Sequence, residues 1–224
     1  MRQKERQERS REEIYQAALE EFGTYGYDRV NMERICGKHG ISKGMMYHYY
    51  ANKDALFLLC VERTFSALES YVAAHAADLA GKDVLEDIKN YFLIREHFFE
   101  ENLLQKLIFE NAMLRPPKHL AEQIQVLRAP IRNMNRMFLR QLVRKVPLRP
   151  GLDPEKVTRY LESVGYFFES TMACYYQSGT AGEDFHALLE RAGEMLDLVL
   201  FGVIRQTQEP ADTRTPPEGG GETR

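Results

Sequence analysis

Tryptophan is absent from the 224 residues, and cysteine is scarce: Cys36, Cys60 and Cys174 stand far apart in apolar surroundings. An odd, scattered set of thiols makes neither a disulfide frame nor a zinc site, so these read as reduced core thiols of a cytoplasmic protein. No uninterrupted apolar run approaches the roughly 20 residues that a bilayer crossing requires. The opening MRQKERQERSREE has no apolar stretch and so no secretory-signal character. Valine and isoleucine are sparse, and nothing alternates apolar with polar long enough to suggest a sheet. No segment repeats at a fixed period. There is no His-Glu-x-x-His, no Gly-x-Ser-x-Gly and no phosphate-cradling glycine loop. Glu183-x-x-His186 lacks the second copy and the further carboxylates that a di-iron bundle needs. His119 and Glu122 read as a solvated turn. No cofactor, metal or enzymatic activity is expected on these grounds.

What is present is a globular composition, 44% apolar and 28% charged, with helical periodicity nearly throughout. Ser10 and Glu13 form a capping box, and Ile14, Ala17, Ala18 and Phe22 follow at helical spacing until Gly23 and Gly26. Asn31 suits the N-cap of a short helix over 32–38, with Met32, Ile35 and Cys36 inward and Gly40 as a left-handed C-cap. Ser42 then caps a helix over 43–49, and Asn52 caps a long one with Asp54 in its first turn. Further helices are expected at roughly 53–79, 83–97, 99–114, 118–146, 153–178 and 183–205. Leu120, Ile124, Leu127, Ile131, Met134 and Phe138 make a narrow seam, which Pro130 should kink or split. Residues 206–224 are polar and rich in proline and glycine, the composition of a disordered tail.

Two short helices joined by a tight glycine-containing turn and braced by a preceding helix make a helix-turn-helix, for which a plain αα-hairpin is the alternative on geometry alone. The charge distribution there is enough for a nucleic-acid surface, and on charge alone a solvated face fits it at least as well. The chain carries a net charge of −3, yet residues 31–53 hold four basic side chains against a single acid, Glu33. Ser42 and Lys43 open the second short helix, Gly44 permits close backbone approach, and Tyr47 shares their face. Lys53, just after the Asn52 cap, is within reach of a flanking phosphate.

At these residues the chain resembles the DNA-binding domain of the tetracycline-repressor (TetR) family of bacterial transcription regulators. The resemblance rests on Ile14, Ala17-Ala18-Leu19, Phe22, Gly26-Tyr27, Met32, Ile35, Gly40-Ile41-Ser42-Lys43-Gly44, Tyr47-His48-Tyr49-Tyr50, Lys53 and Leu56-Phe57. It covers about residues 10–57; beyond them only length and helical character agree. Two positions depart from the pattern: His39 stands where a small apolar residue is usual, and Gly37 where a polar helix former is usual.

The resemblance implies an all-α fold of about nine helices: a tri-helical helix-turn-helix domain over 1–52 with a basic N-terminal arm, then a ligand-binding and dimerisation domain over 53–205. It implies that Lys43, Gly44, Met45 and His48 lie nearest base edges and that Asn31, Ser42, Tyr47 and Lys53 touch the DNA backbone. It also implies a palindromic double-stranded operator, a homodimer formed by the last two helices, and a small-molecule effector. The deformable and aromatic side chains Phe109, Met113, Met134, Phe138, Phe168, Met172 and Tyr175 are the candidates for an apolar effector pocket. The expected function is a repressor released from its operator by a largely apolar or aromatic effector. The competing readings are a helical adaptor whose helix-turn-helix does not read DNA, and a small helical enzyme.

Overall fold

The computed structural model describes residues 3–76, 79 and 84–177, excluding the side chains of 84–86, 88, 89, 92 and 167–177. The expected helix over 183–205 and the tail at 206–224 lie outside the described residues, as do the side chains of Phe168, Met172 and Tyr175.

Side-chain caps start three of the first four helices where the sequence marks them. Helix α1 runs Gln3–Tyr25, α2 Met32–His39, α3 Lys43–Tyr49 and α4 Lys53–His75. Asn31 Oδ1 accepts from Arg34 N at 2.7 Å, Ser42 Oγ from Met45 N at 3.1 Å and Asn52 Oδ1 from Ala55 N at 2.9 Å. Each bond satisfies an amide that the helix itself leaves without a partner. Gly40, at φ +67°, closes α2 in the left-handed conformation that a side chain would oppose.

The α1 boundaries differ from the sequence reading. Ser10 does not cap the helix, because helix formers continue it back to Gln3, with Lys4 and Glu8 paired at 3.9 Å one turn apart. The expected basic arm is therefore the first turns of α1, and Arg11 lies over the Tyr49 ring at 5.4 Å. Gly23 does not end the helix either. A Cβ there would meet Leu104 Cδ2 and the Leu104 carbonyl at 3.3 Å, so the missing side chain is what lets a later helix lie against α1.

Helices α5 (Val84–Glu101), α6 (Leu103–Leu114), α7 (Ala121–Leu127), α8 (Ala129–Lys145) and α9 (Pro154–Gln177) follow, with a 3-10 turn at Lys118–Leu120. The α5–α6 break falls at Asn102 rather than near residue 98, because Phe98 and Phe99 are both buried and carry α5 onward. The helix expected over 118–146 is divided at Arg128, with Pro130 in the first turn of α8, where its missing N–H costs nothing. Asp153 caps α9 by accepting from Glu155 N and Lys156 N. There is no strand among the described residues, so the chain is all-α.

One core runs from Ile14 on α1 through Phe57 and Phe65 on α4 to Ile108 on α6 and Ile131 on α8. The seam at Leu120, Ile124 and Ile131 packs into this same core. A smaller cluster, Leu142, Val143, Val157 and Leu161, joins α8 to α9. Cys36 and Cys60 are buried free thiols, and burial raises the pKa of both. No helix of the described residues is long and apolar enough to cross a membrane.

Candidate nucleic-acid interface

Helix α3 is anchored inward by Met46, with Met45 and Tyr49 partly buried against the same core. Met46 is fully buried, and Ile35 and Ile41 close over the same region from α2 and the turn. Ile41 N donates to Cys36 O, and Met46 N donates to Ser42 O, both at 3.0 Å. Fixing Met46 inward turns Ser42, Lys43, Gly44, Tyr47 and His48 outward, and all five are exposed. Asn31 is exposed at the start of α2, whereas Met45 and Lys53 are half-buried. The space beside Gly44 is empty to 4 Å.

The charges around this face are mostly engaged within the chain. The Glu21 carboxylate on α1 is fully buried. Arg34 Nε donates to its Oε2, Lys38 Nζ lies 2.7 Å from its Oε1, and His39 Nε2 lies 3.5 Å from the same oxygen. Burial pushes the Glu21 carboxyl up, but the bonds from Lys38 and Arg34 outweigh that and hold it below the usual carboxylate range. The Arg34 guanidinium also stacks over the Tyr25 ring at 4.0 Å. So α2 is clamped to α1 by a buried acid that sequence reasoning missed. The signal was there: His39 breaks the family pattern at the position that faces Glu21.

Glu20, Glu21 and His39 bring ligand-type atoms within 4.8 Å of one another. The Lys38 ammonium already sits there, 3.4 Å from Glu20 Oε1 and 2.7 Å from Glu21 Oε1.

Lys53 is also engaged within the chain: its Nζ donates to Tyr27 O at 3.0 Å and lies 3.7 Å from the Tyr27 ring centroid. Tyr47 donates to Glu33 Oε1 at 3.2 Å, tying α3 to α2. Desolvation, with the Glu33 carboxylate beside it, holds the Tyr47 hydroxyl above its ordinary pKa. Of the four cations in 31–53, Lys43 is the one with neither ion pair nor hydrogen bond among the described residues.

The expected effector-pocket residues sit differently. Phe109 packs edge-on against Phe65 at 5.8 Å and tilts against Phe99 at 4.9 Å. Phe138 stacks on Tyr91 at 4.0 Å, and the Tyr91 hydroxyl donates to Asn135 Oδ1 at 2.6 Å. Met113 and Met134 lie against the core. All four are partly buried and pack against the core. A groove of 440 Å³ lies between α4 and α7, lined by Tyr50, Ala55, Leu58, Leu59, Glu62, Gln123, Val126 and Leu127.

A buried anchor, a capped short helix and an outward polar face define a helix-turn-helix protein. Residues 14–60 match the family described as bacterial regulatory proteins, tetR family, and over that segment the chain is similar to it. The transposon Tn10 TetC protein of Escherichia coli is 27% identical over 97 residues, 42% of this chain and 49% of that protein. The HTH-type transcriptional repressor AcnR of Corynebacterium jeikeium is 46% identical over 46 residues, 20% of this chain and 24% of that protein. The chain thus spans half or less of the length of these curated relatives. Among solved structures, the transcriptional regulator FadR of Bacillus subtilis in complex with stearoyl-CoA superposes with a TM-score of 0.61 at 14% identity. That likeness covers 85% of this chain and 97% of that one, and it speaks for the fold.

Proposed function

We propose that this chain is a DNA-binding transcription regulator whose α3 enters the major groove of a palindromic operator. The observation that carries the reading is the outward face of α3. Glycine inside a helix costs about 1 kcal/mol against alanine. Gly44 has no positive φ and no neighbour within 4 Å, as is also true of Gly37 on α2, but Gly44 stands on the exposed face between Lys43 and Tyr47. A DNA backbone or base edge approaching between Lys43 and Tyr47 supplies the reason. Lys43, Gly44, Met45 and His48 are the residues proposed nearest base edges, with Asn31, Ser42 and Tyr47 at phosphates. Asn31 and Ser42 serve through their helix starts, since their side-chain oxygens already cap α2 and α3. Lys53 joins them only by leaving Tyr27.

One recognition helix carries few contacts, so a twofold dimer presenting two of them about 34–36 Å apart completes the reading. The division at residues 52/53 and dimerisation through the last two helices belong to this proposal. Tyr160 and Tyr166, exposed on α9, are consistent with it. Repression is the sign named for AcnR, and an apolar effector is the chemistry suggested by the stearoyl-CoA bound to FadR. The proposal assigns no catalytic step.

Fluorescence anisotropy on DNA from upstream of the chain's own gene, with scrambled competitor across a salt series, tests the reading. Tight binding to one palindromic segment that weakens steeply with salt is the expected result. Weak binding, equal on all sequences including a genome-wide selected pool, overturns it.

A further inference from the structure

Three segments distant in the chain converge at the start of α4. The Tyr27 hydroxyl, just past α1, donates to Asp54 Oδ1. His119 Nε2, on the 3-10 turn between α6 and α7, lies 3.2 Å from Asp54 Oδ2 and 3.2 Å from the Tyr27 hydroxyl. The Tyr27 and His119 rings are tilted against each other with centroids 5.7 Å apart. Tyr27 also holds Lys53 by its carbonyl and its ring face. The Tyr27 bond and then His119 keep the Asp54 carboxyl below its ordinary pKa, so it stands as an anionic acceptor for both donors. The turn that carries His119 is itself fixed: Leu120 is buried, and its N–H donates to Pro117 O at 2.9 Å. A displacement of α6 or α7 therefore reaches His119 directly, and from there Tyr27, Asp54 and Lys53 at the corner between α3 and α4.

We infer that His119 is a positioning residue for operator binding: its Nε2–H, donated to the Asp54 carboxylate, couples the α6–α7 turn to the orientation of the helix-turn-helix. The inference rests on the DNA-binding reading above. It differs from the expectation of a solvated turn at His119 and Glu122, although the His119 ring is exposed.

The test measures operator affinity of the full chain for His119→Phe, His119→Gln, Tyr27→Phe and the double variant His119→Phe/Tyr27→Phe, with melting temperature as a control on folding. Phenylalanine keeps the ring and removes the donor; glutamine keeps a donor. His119→Phe and Tyr27→Phe should each weaken binding by about three- to tenfold, the size of coupling carried by non-contact residues. The double variant should be no weaker than either single one, and His119→Gln should bind like the parent. Parent-like binding by His119→Phe overturns the inference, as does equal loss in His119→Gln, which would assign the effect to ring packing. Additive losses in the double variant overturn it too, by making the two contacts independent. If the parent protein binds no operator, the DNA-binding reading falls and the inference falls with it.

Discussion

Single residues at the interface trade stability against binding. Gly44→Ala fits the open space beside α3 and should raise stability by about 1 kcal/mol through helix propensity. It should weaken operator binding, because its methyl occupies the approach. Gly37 on α2 is equally open, so Gly37→Ala should give the same stabilisation with unchanged affinity. Parallel melting curves and anisotropy titrations separate the two effects; unchanged affinity in Gly44→Ala would remove the close approach assigned there. Lys43→Ala should weaken binding across all sequences and flatten the salt dependence, since Lys43 is the cation left unpaired on this face. Glu21 sets a pH dependence. Its folded-state pKa lies below the ordinary value, so its contribution is complete above that value and is lost as pH falls below about 4.3. Glu21→Gln should reduce stability at neutral pH by about 1–3 kcal/mol and remove that acid-labile component. Urea denaturation at pH 7 and pH 4 reads both.

Helices were legible in the sequence where local chemistry decides them. Asn31, Ser42 and Asn52 mark the starts of α2, α3 and α4 because an N-cap acts on amides two or three residues away. Pro130 marked the α7–α8 division for the same local reason. The misread ends were decided by packing. Gly23 looked like a stop, yet the structure uses its missing side chain to seat α6. A pair of phenylalanines at 98 and 99 kept α5 going to Glu101. Gly23→Leu should consequently destabilise the chain by about 1–3 kcal/mol through overpacking against Leu104, measurable by thermal unfolding, without removing any residue of the α3 face. The Glu21 clamp and the Tyr27–Asp54–His119 contact were equally hidden, because both join residues whose separation in the chain carries no periodicity. The outward set on α3 was readable because Met46 inward dictates it.

At the scale of the whole molecule, the proposal requires that two recognition helices pair before the chain can read a palindrome. Leu189→Glu or Val199→Glu, in the segment proposed for dimerisation, should halve the mass seen by analytical ultracentrifugation and reduce operator affinity together. An unchanged dimer would move the interface elsewhere. Phe109 and Phe138 lie against neighbouring rings, contacts that spacing along a helix does not encode.

The notch at Gly23, filled by Leu104, has a consequence for modularity. Helix α1 completes its packing with a residue more than eighty positions away, so the helix-turn-helix segment is not an interchangeable cassette. A hybrid that joins residues 1–52 to the second half of another regulator would present α1 to a surface not shaped for it. Such hybrids should express poorly unless α6 is carried across with the segment it supports.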